Sequence, residues 1–216
     1  MKLNEYIEHT LLKQDATKEE VTKLLEEAKQ HKFLGVCINP CNVAYAKEYL
    51  KGTDIKIVTV IGFPLGQSTT EIKILETIDA VKNGADEIDM VLNVGKLKDK
   101  EYDYIVDEIL KIKFASQGRN LKVIIETDLL TKEEIRTACE LCIKGKADFV
   151  KTSTGFVKNG IGAQADDVEL MYKTVNSAGL QVKASGGIRD RKTALKMIEA
   201  GAVRLGTSSG VKIVEG

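Results

Sequence analysis

Two lysines occupy positions that lysines rarely occupy. The segment Ala147-Asp148-Phe149-Val150-Lys151-Thr152-Ser153-Thr154-Gly155-Phe156 has the pattern of a short apolar strand that ends on Lys151 and opens into a small-residue loop. Leu180-Gln181-Val182-Lys183-Ala184-Ser185-Gly186-Gly187 repeats that pattern around Lys183. An ammonium group almost never enters a core unless it is paired or used. Two-residue periodicity puts Ala147, Phe149, Lys151 and Ser153 on one face, and Gln181, Lys183 and Ser185 on another. If both faces point into a common interior, the two amines are close together. A second cation nearby, together with desolvation, depresses one amine's pKa, and a neutral amine is a nucleophile that forms a Schiff base with a carbonyl. The imine is an electron sink for breaking an adjacent carbon–carbon bond. Asp89, within the strand-like DEIDMVLN, would supply proton transfer, and Glu126 ends the run KVIIE. One such lysine is most simply read as a buried, inert salt bridge to Asp89 or Glu126. Two of them, each before a glycine loop, argue for function, without saying which forms the imine.

The loops add a second chemistry. Ser185-Gly186-Gly187 follows one strand pattern, and Gly206-Thr207-Ser208-Ser209-Gly210 follows the last. Bare backbone N–H groups and hydroxyls at a helix start suit an anion without net positive charge. Thr154 and Gly155 could close the same site from the Lys151 strand. Taken singly each is a plain turn; on consecutive strand ends they point to a phosphorylated aldehyde as substrate.

These residues need elements to hold them, and strand-like and helix-like segments alternate along nearly the whole chain. Strands are expected at 5–12, 33–39, 55–62, 86–93, 121–127, 147–153, 180–185 and 202–207, where β-branched and apolar residues cluster. Helices are expected at 18–31, from Pro40 to about 51, and at 69–83, 100–116, 132–144, 165–178 and 192–200. Thr17 with Glu20, Ser68 with Glu71 and Thr131 with Glu134 have the spacing of capping boxes, and Gly84 suits a helix end. Eight strands separated by seven helices, with a short tail, predict a parallel sheet closed as a (β/α)8 TIM barrel over residues 1–216, a single compact α/β domain. An open doubly wound sheet would alternate in the same way. Gly160-Ile161-Gly162-Ala163-Gln164-Ala165 matches its dinucleotide fingerprint, but lies past the strand end and lacks the acidic partner that fingerprint needs.

Lys+Arg and Asp+Glu both count 32, so the formal net charge is zero and no global field favours nucleic acid or a membrane surface. The amino terminus lacks a signal-like apolar core and no apolar run reaches membrane-spanning length, so a cytoplasmic protein is expected. Cys139 and Cys142 have CxxC spacing but fall mid-helix, and neither a second pair nor a histidine pair completes a zinc site. With Cys37 and Cys41 they are expected to be buried thiols in a reducing compartment. His9 and His31 lie far apart in sequence, so no metal and no cofactor is expected.

Several segments together resemble the deoxyribose-phosphate aldolase family, class I aldolases of the barrel type. They are IEHTLLK (7–13), GVCINP (35–40), VIGFPLG (60–66), GADEIDMVLNVG (84–95), KVIIET (122–127), FVKTSTGF (149–156), VKASGGIR (182–189) and RLGTSSG (204–210). They fall in the family's order and on the expected strand ends. The resemblance implies reversible, metal-independent cleavage of 2-deoxy-D-ribose 5-phosphate to D-glyceraldehyde 3-phosphate and acetaldehyde, a step of deoxyribose phosphate catabolism. It implies Lys151 as the Schiff-base nucleophile, Lys183 as the lysine that lowers its pKa, and Asp89 as proton donor and acceptor. Thr154, Gly155, Gly186, Gly187, Gly206 and Ser208 would surround the substrate phosphate. Phe156 departs from members with lysine after TSTG, and Ser185 from members with alanine there. The expected partners are the small-molecule substrate and further copies of the chain in a homo-oligomer, dimer or tetramer.

Overall fold

The computed structural model describes all 216 residues. Eight parallel strands run β1 Ile7–Leu11, β2 Gly35–Ile38, β3 Lys56–Ile61, β4 Glu87–Val91, β5 Asn120–Ile124, β6 Phe149–Lys151, β7 Gln181–Ser185 and β8 Arg204–Thr207. Each pairs with the next, and β8 pairs with β1 through Ile7 opposite Leu205, so the sheet closes. Closure rules out the open doubly wound alternative. The expected (β/α)8 TIM barrel is the fold.

Nine helices cover the barrel: α1 Lys18–His31, α2 Val43–Tyr49, α3 Thr70–Asn83, α4 Val94–Lys98, α5 Tyr102–Ala115, α6 Lys132–Lys144, α7 Ala165–Val175, α8 Arg191–Glu199 and α9 Gly210–Glu215. Capping boxes at Thr17–Glu20 and Thr131–Glu134 start α1 and α6 where the side-chain spacing places them. The cap of α3 is Thr69, whose Oγ1 accepts from the Ile72 N–H, and not Ser68. Two helices exceed the seven expected. Asn93 starts α4 by accepting from the Lys96 N–H, and the tail after β8 winds into α9. A 3-10 turn, Pro40–Asn42, precedes α2, and another, Leu3–Tyr6, replaces the start of the first expected strand.

Apolar side chains such as Val36, Ile57, Ile88, Leu121, Val123, Val150 and Val182 are fully shielded between the strands and the helix layer. The inward faces are different. Register places Asp89 opposite Lys122 and Lys151 opposite Lys183, so charged side chains share the barrel axis. No helix is long and apolar enough to cross a membrane. Cys37, Cys139 and Cys142 are buried free thiols, whereas Cys41, expected to be buried with them, is exposed in the turn before α2; burial pushes Cys139 up to about 12 and Cys142 well above the ordinary thiol range, so neither is thiolate near neutrality.

Candidate active site

Alternation along β4, β5, β6 and β7 turns Asp89, Lys122, Lys151 and Lys183 into the barrel. They meet there. The Lys151 and Lys183 ammonium groups donate to the same atom, Asp89 Oδ2, at 2.8 and 2.7 Å. Lys122 donates to the other oxygen, Oδ1, at 3.0 Å. Glu8 of β1 accepts from Lys183 and also faces Lys122 at 3.6 Å, while Glu87 pairs with Lys122. Each lysine thus has a carboxylate partner, but the partners are unequal. Lys122 touches three carboxylates and Lys183 two; Lys151 touches Asp89 alone.

Burial opposes the charge on Asp89, but the ammonium groups of Lys122, Lys151 and Lys183 outweigh it and hold the carboxyl well below its ordinary range. Burial likewise works against the Lys183 cation, yet Asp89 and Glu8 outweigh it, and the ammonium is held above the ordinary lysine range. Lys122 is raised for the same reason, burial being overcome by Asp89 and Glu8. The centre of the barrel therefore holds an anionic Asp89 with a permanently cationic Lys183 beside the Lys151 amine.

Above this cluster a cleft of about 390 Å³ opens at the carboxyl ends of β6, β7, β8 and β1. This is the end of the barrel at which enzymes of this fold place their chemistry. Of the three inward lysines, Lys151 alone lines the cleft; Asp89 and Lys183 lie beneath it, fully buried. Thr154, Gly155, Gly186, Gly187, Gly206 and Ser208 all line it. Gly186 and Gly187 have φ of 85° and 73°, a region closed to most side chains, so the turn after β7 presents bare backbone to the cleft. The structure brings all nine site residues expected from the sequence to this one place.

Glu126 does not pair with either lysine. It sits at φ 61°, and its carboxylate accepts from the Thr154 hydroxyl and from the Thr154 N–H at 3.1 Å, holding the loop after β6. Burial raises its pKa against those hydrogen bonds. The glycine run 160–165 likewise has a packing role: a side chain at Gly162 would strike the Gly186 carbonyl carbon at 2.4 Å.

Five charged residues at the site were not expected from the sequence. Glu8, Glu87 and Lys122 complete the buried cluster, and the inward parity of β1, β4 and β5 is the signal that marks them. Lys13, paired with Glu20 at 2.5 Å, and Arg189 are the other cations that line the cleft. Phe156 lines the cleft and meets Phe63 edge to face at 5.2 Å.

A family model for DeoC/LacD family aldolases matches residues 5–216. The deoxyribose-phosphate aldolase of Enterococcus faecalis is 54% identical over 217 residues, covering 100% of this chain and 97% of its own. That of a Geobacillus species is 57% identical over 211 residues, covering 97% of this chain and 93% of its own. Among solved structures, the tetrameric deoxyribose phosphate aldolase of Aeropyrum pernix superimposes with a TM-score of 0.91 at 33% identity, covering 99% of this chain and 89% of that one.

Proposed function

The chain belongs to the DeoC/LacD family of aldolases, and from that premise we propose that Lys151 is the amine through which it works. The reaction is the reversible cleavage of 2-deoxy-D-ribose 5-phosphate to D-glyceraldehyde 3-phosphate and acetaldehyde. One observation carries the choice of lysine: Lys151 has a single carboxylate partner and is the inward lysine that meets the cleft. Lys183, held cationic by Asp89 and Glu8, supplies the neighbouring positive charge.

The Lys151 amine adds to C1 of the open-chain sugar, and loss of water gives a protonated imine. A base relayed from Asp89 through water removes the C3 hydroxyl proton. The C2–C3 electron pair flows into the imine, releasing glyceraldehyde 3-phosphate and leaving an enamine on Lys151. Protonation of the enamine carbon and hydrolysis then free acetaldehyde and restore the amine. Asp89, touching all three lysines, holds the amines in place and passes the proton.

The phosphate binds across Gly155, Gly186, Gly187, Gly206 and Ser208, with Thr154 closing one side. Because Phe156 offers no charge, Lys13 and Arg189 provide the cations at the cleft. The enzyme is cytoplasmic, a reading that its free thiols support, and it assembles as a homo-oligomer, as the tetrameric Aeropyrum pernix relative does. Exchange of Lys151 for Leu tests the assignment: turnover disappears while the circular dichroism spectrum is kept. Substantial activity in that folded variant would refute it.

A further inference from the structure

The loop between β6 and α7 begins at the cleft, which Thr154, Gly155 and Phe156 line, and two acidic side chains of one neighbouring turn hold it. Glu126 takes its start, at Thr154. Asp128, two residues on, takes its far end: Oδ1 accepts from the Ile161 N–H at 3.0 Å and Oδ2 from the Gly162 N–H at 2.9 Å. Asp128 has no cationic partner anywhere in the molecule, so these two backbone donors are its hydrogen-bonding role. A carboxylate that accepts two amides makes a fixed, charge-assisted clamp.

The clamped residues are the ones that back the turn after β7. Ala163 N–H donates to the Gly186 carbonyl at 3.0 Å. A Cβ at Gly187 would lie 2.5 Å from the Ile161 carbonyl oxygen, and one at Gly162 would lie 2.5 Å from the Gly186 carbonyl oxygen. The two backbones thus lie against each other without intervening side chains, so a shift of Ile161–Ala163 moves Gly186–Gly187. Gly160 belongs to the same arrangement, since a side chain there would reach Asp128 Oδ2 at 2.7 Å. Asp128 itself does not line the cleft.

We propose that Asp128 is a positioning residue for the substrate phosphate: by holding the Ile161 and Gly162 amides it fixes the Gly186–Gly187 turn, and so sets phosphate affinity while leaving bond cleavage at Lys151 to the buried cluster. The inference rests on the assignment of Gly186 and Gly187 to the phosphate made above. It explains why Gly160, Gly162, Gly186 and Gly187 are all glycine. The first admits the carboxylate and the others admit backbone against backbone.

The test compares Asp128→Ala and Asp128→Asn with the unaltered enzyme, using 2-deoxyribose 5-phosphate and unphosphorylated 2-deoxyribose as alternative substrates and inorganic phosphate as competitive inhibitor. Losing two charge-assisted hydrogen bonds should raise KM for the phosphorylated sugar and the inhibition constant of phosphate together, by ~10-fold in Asp128→Ala, with a smaller change in kcat. Asp128→Asn keeps one acceptor oxygen and should fall between. KM for the unphosphorylated sugar should stay where it was. An equal loss on both sugars, or no change on either, would overturn the proposal. If inorganic phosphate fails to compete even in the unaltered enzyme, the phosphate assignment of the glycine turn fails first, and the role of Asp128 falls with it.

Discussion

Lys151 and Lys183 point at one atom, Asp89 Oδ2, from 2.8 and 2.7 Å on adjacent strands. Their difference lies in what else they touch. Lys183 has Glu8 as a second partner and no access to the cleft, whereas Lys151 has neither that partner nor that isolation. A cation fixed beside a less restrained amine is the arrangement that Schiff-base chemistry requires.

Lys183→Met removes the fixed cation and its hydrogen bonds to Asp89 and Glu8 while keeping most of the side-chain volume. Steady-state kinetics should show kcat lower by ~100-fold or more, the size of a lost proton-transfer partner, with KM changed much less. A kcat near that of the unaltered enzyme would remove Lys183 from the mechanism.

Asp89 ties acid stability to the same cluster. Its carboxyl is held well below its ordinary range by Lys122, Lys151 and Lys183, despite the opposing effect of burial. Between that depressed value and the unfolded value of about 3.9, the unfolded chain binds a proton that the folded chain does not, so stability rises with pH there. The contribution is therefore complete above about pH 4 and is lost as pH falls further. Urea unfolding at a series of pH values should show Asp89→Asn less stable than the unaltered protein by ~3 kcal/mol near neutrality, the gap narrowing only below about pH 4. A gap that is constant down to the most acid conditions would contradict the ionised state assigned to Asp89.

Gly206 gives a steric test. A Cβ there would meet Lys183 Cε at 3.1 Å and Ser185 Cβ at 3.0 Å. Gly206→Ala should push the Lys183 stem aside and narrow the cleft, lowering kcat/KM by ~10-fold or more, since displacements well under an ångström matter at a reacting centre. Unchanged kcat/KM would mean that the space beside Lys183 is not used.

The strands were legible because parallel barrel strands are buried on both faces and show as β-branched runs. The ends of α1 and α6 were legible because Thr and Glu three residues apart satisfy each other's backbone donors. The same rule misplaced the α3 cap by one residue, since Ser68 and Thr69 are both able to cap and only the loop path before them decides. Lys151, Lys183 and Asp89 stood out as charges interrupting apolar strands. Lys122 did not, although alternation on β5 turns it inward beside Asp89 of the neighbouring strand, and Glu8 did not, because its partner Lys183 lies 175 residues away. Only the closed register brings such pairs together. The stretch 160–163 was unreadable for a related reason, because its glycines serve contacts with Asp128 and Gly186 that no local pattern records.

In the proposed reaction the substrate becomes covalently attached to Lys151. Borohydride reduction of the protein mixed with 2-deoxyribose 5-phosphate, followed by peptide mass mapping, tests it directly. One stable adduct is expected, on the peptide that contains Lys151. An adduct on Lys183 instead, or none on a folded protein that still binds the sugar phosphate, would contradict it.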